Sequence, residues 1–158
     1  MTGVVYQQLG PQHAGEVLTV QRAAFVSEAR VYGTPEIPPL TETLDEVVHE
    51  LATTISIGAW LGPRLVGAAR LTLDGPVGWI SRVAVAPDQQ GRGIGGGMLD
   101  AVEAAAPPDV ARFQLGAAGR SADNIALYER RGYREVGRQV DSAGVELVVM
   151  AKPRVGAQ

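Results

Sequence analysis

The stretch Gln89–Ala104, QQGRGIGGGMLDAVEA, decides how the chain is read. Its second half has helical spacing, with Met98, Leu99, Val102 and Ala105 or Ala106 on one side. Its first half works against that helix. Gly91, Gly93, Gly95, Gly96 and Gly97 crowd together, and each glycine in a helix interior costs about 1 kcal/mol relative to alanine. The cost makes sense at a helix start that follows a strand. There the first backbone N–H groups have no partner within the helix, and the helix dipole adds partial positive charge. Both favour an anion, most often a phosphate. Without a Cβ, the backbone approaches such a group closely and adopts positive φ. The alternative is a glycine turn that only lets the helix pack tightly on a sheet.

Two phosphate-binding patterns fit poorly. A nucleoside-triphosphate loop requires G-x-x-x-x-G-K-[ST], and no Gly-Lys pair occurs in the chain. The dinucleotide pattern G-x-G-x-x-G is met by Gly91, Gly93 and Gly96. However, the acidic residue expected about 20 positions later would fall near Gly116–Ala118, where there is none.

Working outward, Val4–Leu9 predicts a short strand and Pro11 to about Arg30 a helix with Val17, Val20 and Ala24 inward. Pro35, Pro38 and Pro39 then impose a loop or bent segment. Thr41 or Thr43 caps a second helix through Leu51. Strands follow at Ile55–Gly62, Arg64–Leu73 and Val77–Val85, separated by Gly-Pro and Asp-Gly-Pro turns. After the glycine segment come a strand at Ala111–Ala117 and a helix at Ser121–Arg131 stopped by Gly132. Strands at Tyr133–Gln139 and Val145–Met150 end the series. The order β-α-α-β-β-β-α-β-α-β-β is α/β with a hairpin-rich, antiparallel first half.

The chain has 158 residues, which predicts one domain over 1–158 with a proper core. The net charge of −3 argues against a nucleic-acid partner. No apolar run is long enough to span a membrane, and MTGVVYQQLG does not read as a signal peptide. Cysteine is absent, which removes thiolate chemistry and fits a cytoplasmic location. His13 and His49 lack metal-ligand spacing and are expected on solvent-facing helix positions, so no metal is expected.

Two segments together resemble the GNAT superfamily of acyl-CoA-dependent N-acyltransferases. One is the signature Q/R-x-x-G-x-G/A, here Gln90-Gly91-Arg92-Gly93-Ile94-Gly95 after the strand RVAV. The other is SADNIALYERRGYREVG, Ser121–Gly137, with an Asn, a Tyr four residues on, then Gly plus an aromatic. The resemblance implies the family's fold: a mixed, mostly antiparallel sheet of about six or seven strands with about four helices, its central strands splayed. It also implies acetyl-CoA as co-substrate, no metal, and an amine acceptor that is a small molecule or peptide. A homodimer is frequent in the family.

By the same resemblance, Gln90, Gly91, Arg92, Gly93, Gly95 and Gly96 hold the pyrophosphate of coenzyme A, and Val83 and Val85 offer backbone groups to its pantetheine arm. The Val83 N–H acts as the oxyanion donor, Asn124 contacts the coenzyme, and Tyr128 protonates the leaving thiolate. Read without it, Asn124 and Tyr128 are a first-turn residue and a half-buried aromatic on one helix face. Some family members place a Glu where this chain has Trp79, which leaves the base open. Glu28 is the best remaining candidate, near Tyr32 and Trp79, and is otherwise a solvated helix residue; Glu36 is weaker. Strand alternation puts Trp79 and Val83 on one face and Arg82 on the other. Arg82 either reads a carboxylate of the acceptor or faces away from it. A sensor domain that binds acyl-CoA without turnover is the alternative reading.

Overall fold

The computed structural model describes residues 3–155. In chain order its elements are β1 (Val5–Gln8), α1 (Ala14–Tyr32), α2 (Pro38–Thr41), α3 (Leu44–Thr53), β2 (Ile55–Leu61), β3 (Arg64–Asp74) and β4 (Val77–Val85). Then come α4 (Ile94–Ala105), β5 (Arg112–Ala118), α5 (Ala122–Arg130), β6 (Arg134–Val140) and β7 (Glu146–Pro153). The strands form one sheet in the order β1-β2-β3-β4-β5-β7-β6. Every pairing is antiparallel except β4 with β5.

The apolar periodicity explains how helices sit on the sheet. From α1 and α3, Val17, Leu18, Val47 and Leu51 pack with Leu65, Ala68 and Ala84 on one face. From α4, Ile94, Met98, Leu99 and Val102 pack with Ala69, Leu71, Ile80 and Leu115 on the other. Met98, Leu99 and Val102 are fully buried, each such side chain contributing about 1.5–3 kcal/mol. Thr43 caps α3 in a reciprocal box: its Oγ1 accepts from the Glu46 N–H at 3.2 Å, and its own N–H donates to Glu46 Oε1 at 2.8 Å.

Most expected elements are present, with shifted ends. Helix α1 runs on to Tyr32, and the proline segment contains the one-turn helix α2, which opens with Pro38 at its first position. There the missing N–H costs nothing. His13 is not a solvent-facing helix residue. It is half-buried, accepts the Gly10 N–H on Nδ1 at 3.0 Å, and lies edge-on to Trp60. His49 is exposed, as expected.

Two irregularities in β4 shape the middle of the sheet. First, β4 pairs with β5 only from Val77↔Arg112 to Ile80↔Leu115. From Ser81 onward β4 has no β5 partner, and β5 continues against β7 alone. The sheet opens there. Second, the β3–β4 register slips: Arg70 faces Ser81, but Ala68 faces Ala84. Arg82 and Val83 share the one place opposite Ala69, a β-bulge. Arg82 takes φ 53°, the only positive φ at a non-glycine among the described residues, a conformation costing about 1–2 kcal/mol.

The bulge overturns the alternation expected for this strand. One extra residue places Trp79 and Val83 on opposite faces. Val83 and Val85 pack against the α4 cluster. Arg82 turns instead toward Glu42, the residue after α2.

Candidate active site

A cleft of about 770 Å³ lies along the free end of β4, where the sheet opens. Val83, Ala84 and Val85 form one wall. The turn carrying Gln90, Gly91, Gly93, Gly95 and Gly96 forms one end. Asn124, Leu127 and Arg130 of α5 stand opposite, and Phe25, Glu28 and Tyr32 of α1 border it as well. Glu28, Val83, Val85, Gln90, Gly91, Gly93, Gly95, Gly96 and Asn124 thus meet in one place, whereas Tyr128, Glu36 and Arg82 do not border the cleft. Arg92 is exposed and does not border the cleft. Trp79, expected beside Glu28, does not border it either.

The glycines divide into two kinds. Gly91 and Gly93 both have φ 81° and open space where a Cβ would stand. Gly93 caps α4, whose first internal bond runs from the Gly97 N–H to the Gly93 carbonyl at 3.0 Å. The N–H groups ahead of it lack helical partners, beside bare backbone. Gly96 and Gly97 are close-approach glycines: a Cβ would strike the Arg131 guanidinium at Gly96 and the Tyr6 ring at Gly97. Arg131 is held there by Asp100 at 2.7 Å. Open, φ-positive backbone and close approach therefore both explain the run, at different positions. Gln90 Nε2 donates to the Val85 carbonyl at 3.2 Å and ties the turn to the end of β4.

Tyr128 projects from α5 into the interior, 6% exposed, edge-on to Tyr133. No hydrogen bond holds its hydroxyl among the described residues. Burial, with the nearby Glu28 carboxylate adding to it, pushes its pKa up to about 12. The hydroxyl is therefore a proton donor throughout the neutral range. Glu28 is half-buried, and its pKa is raised by desolvation and by Asp141, with Arg82 pulling the other way. A carboxylate with a raised pKa is a better proton acceptor than a solvated one.

Beside the cleft lies a group that sequence reasoning missed. Arg70 of β3 grips both Glu42 oxygens, Nη2 to Oε1 at 2.7 Å and Nη1 to Oε2 at 2.9 Å. Gln21 of α1 donates to Glu42 Oε1 and to the Pro39 carbonyl, both at 2.9 Å. Arg82 Nε reaches the same oxygen at 3.5 Å. The Arg70 and Glu42 side chains are 7% and 9% exposed. Burial opposes the Glu42 charge, but the bonds from Arg70 and Gln21 outweigh it and hold its pKa below the usual range. The available signal was a lone arginine inside the apolar strand RLVGAARLTL. Arg120, after β5, was also missed. Its N–H donates to the Tyr32 hydroxyl at 3.1 Å and its guanidinium lies 5.4 Å from that ring, which ties α1 to the β5–α5 loop.

Residues 30–154 match the family model described as acetyltransferase (GNAT) domain. The chain belongs to the GNAT acetyltransferase family. Solved structures of the family share its fold across nearly the whole chain. The ribosomal-protein-S18-alanine N-acetyltransferase of Escherichia coli superimposes with a TM-score of 0.78 at 17% identity, covering 98% of this chain and 96% of that one. A GCN5-related N-acetyltransferase from Rhodopseudomonas palustris gives 0.78 at 22% identity, covering 97% of each. The PaiA N-acetyltransferase of Thermoplasma acidophilum, solved in complex with coenzyme A, gives 0.74 at 13% identity, covering 95% and 98%. No curated protein matches the chain in sequence. Among the described residues no helix is long and apolar enough to cross a membrane.

Proposed function

We propose that the chain is an acetyl-CoA-dependent N-acetyltransferase that acetylates a primary amine by direct attack. The observation that carries this reading is the opening of the sheet between β4 and β5. The bare glycine turn stands at one end of it, and Glu28 borders it with the Tyr128 hydroxyl close by.

The residues fit coenzyme A. The free N–H groups at the start of α4 and the open φ-positive glycines suit a pyrophosphate. Asn124 and Arg130 border the same cleft and suit the remaining polar parts. Bound there, acetyl-CoA supplies the acetyl group as a thioester. The Val83 N–H donates to the thioester carbonyl oxygen as charge develops on it, an effect of about 3–4 kcal/mol for one such donor. Glu28 takes the proton of the attacking amine, directly or through one water. The amine nitrogen bonds to the acetyl carbon, the carbon–sulfur bond breaks, and the sulfur receives the Tyr128 proton. A thiol pKa of about 8.5 makes that last transfer helpful rather than indispensable.

Titration calorimetry with acetyl-CoA, followed by an amine screen read by thiol release, tests the proposal. Micromolar binding with turnover of at least one amine supports it. Binding without turnover of any amine would favour the sensor alternative. A folded protein that does not bind acetyl-CoA would refute both.

A further inference from the structure

The bulge at Arg82 is held by an ionic clamp outside the cleft. From Ser81 onward β4 is paired on one edge only, so β5 does nothing to fix the backbone of Arg82 and Val83. On the other edge the register slips at this point. A non-glycine residue at φ 53° carries a steric cost, so a side-chain contact that holds it there stabilises the bulge. The restraint is Glu42. Arg70 holds both of its oxygens and Gln21 holds one, so the carboxylate is fixed from β3 and α1 before Arg82 meets it at 3.5 Å. In an extended strand, one extra residue exchanges, for everything beyond it, which backbone groups face the partner strand and which face away. The bulge therefore selects which groups of Val83–Val85 line the cleft.

We propose that Glu42, held by Arg70 and Gln21, is a positioning residue: through Arg82 it keeps β4 bulged and so presents the Val83–Val85 backbone to the reacting thioester. This rests on the acetyltransferase reading of the cleft. Neither Glu42 nor Arg82 borders the cleft; both act through the backbone.

The test is a pair of variants at one position. Arg82→Ala removes the clamp but keeps the Cβ that disfavours positive φ. Arg82→Gly removes the clamp and also that steric cost. Crystal structures and steady-state kinetics are compared with wild type. The expected result is extended backbone at residue 82 in R82A, with kcat lowered about tenfold, equivalent to about 1.4 kcal/mol. R82G keeps positive φ and recovers kcat to within about threefold of wild type. Adding Glu42→Gln should then lower kcat in the wild-type background but not in R82G. Equal loss in R82A and R82G would overturn the proposal, because the side chain itself would then be what the reaction needs. Positive φ and full activity in R82A would overturn it as well. If wild type binds acetyl-CoA but acetylates no amine, the acetyltransferase reading fails, and φ at residue 82 in the two variants still decides the clamp.

Discussion

The backbone takes up positive φ on two sides of the cleft, and the two sides are held in opposite ways. At Gly91 and Gly93 the conformation costs little, no side chain supports it, and the surroundings are open. At Arg82 the conformation carries a steric cost and three side chains converge to hold it. The glycine turn leaves its backbone bare and open, the property our proposal assigns to the pyrophosphate site. The bulge enlists buried charge to aim the backbone. Substitutions should therefore do different damage: at the turn they should impair binding and leave the fold alone, and at the clamp they should impair stability.

The largest expected effect is at the clamp. Arg70→Ala leaves Glu42 buried with Arg82 as its remaining charged partner, and should destabilise the protein by about 3 kcal/mol, the low end for breaking a buried pair. Urea unfolding measures this, and a loss confined to activity would erase the distinction between the two sides. Next is Gly93→Glu, which adds both a strained φ and a negative charge where the pyrophosphate should lie. Acetyl-CoA should bind about 100-fold more weakly, with an unchanged unfolding midpoint apart from the strain at that residue.

Smaller effects sharpen the chemistry between the two sides. Tyr128→Phe should lower kcat about tenfold, below the usual range for a general acid because a thiolate leaves readily. With its pKa pushed up to about 12, Tyr128 should contribute no alkaline limb to the rate profile below pH 11 or so. Glu28→Gln should remove the acidic limb of kcat/KM, which burial and then Asp141 shift upward from that of an ordinary glutamate. The same substitution should stabilise the protein at pH 7. A raised folded pKa means that the native state binds the proton more tightly than the unfolded chain, so stability is full below the unfolded pKa and lost as pH rises through the folded one. Glutamine lacks that loss. An enzyme made less active and more stable by one change would mark Glu28 as kept for function. The smallest effect is Arg92→Ala: an exposed arginine outside the cleft should alter acetyl-CoA affinity by about twofold or less, and only at low salt.

Much of this was legible in the sequence because its causes are local. Strand, glycine turn and helix are written in order from Arg82 to Ala104. Thr43, one of the two expected caps, opens α3, and Gly132 marks the stop after α5. The cleft residues Glu28, Val83 and Asn124, with Tyr128 near Glu28, could be grouped in advance because the resemblance supplied the topology that joins them. What escaped has long-range causes. The bulge at Arg82 depends on Glu42, which lies 40 residues away in sequence and is fixed by Arg70 and Gln21 from two other elements. Alternation therefore placed Trp79 and Val83 together when the fold separates them. Likewise, Gly96 and Gly97 looked like more of the same loop, yet their reasons are Arg131 and Tyr6, which the order of residues does not bring near.

A sheet that opens after four paired residues in its middle has, besides its two outer edges, a third, inner one made by the facing free ends of β4 and β5. The outer edges, β1 and β6, end the sheet in the usual manner. An exposed strand edge invites addition of another chain, the route to aggregation that proteins guard against. The third edge lies within the molecule, with α1 bordering it and the β5–α5 loop tied to α1 through Tyr32 and Arg120. Enclosure keeps those unpaired strand groups out of reach of a neighbouring sheet while leaving them open to the cleft.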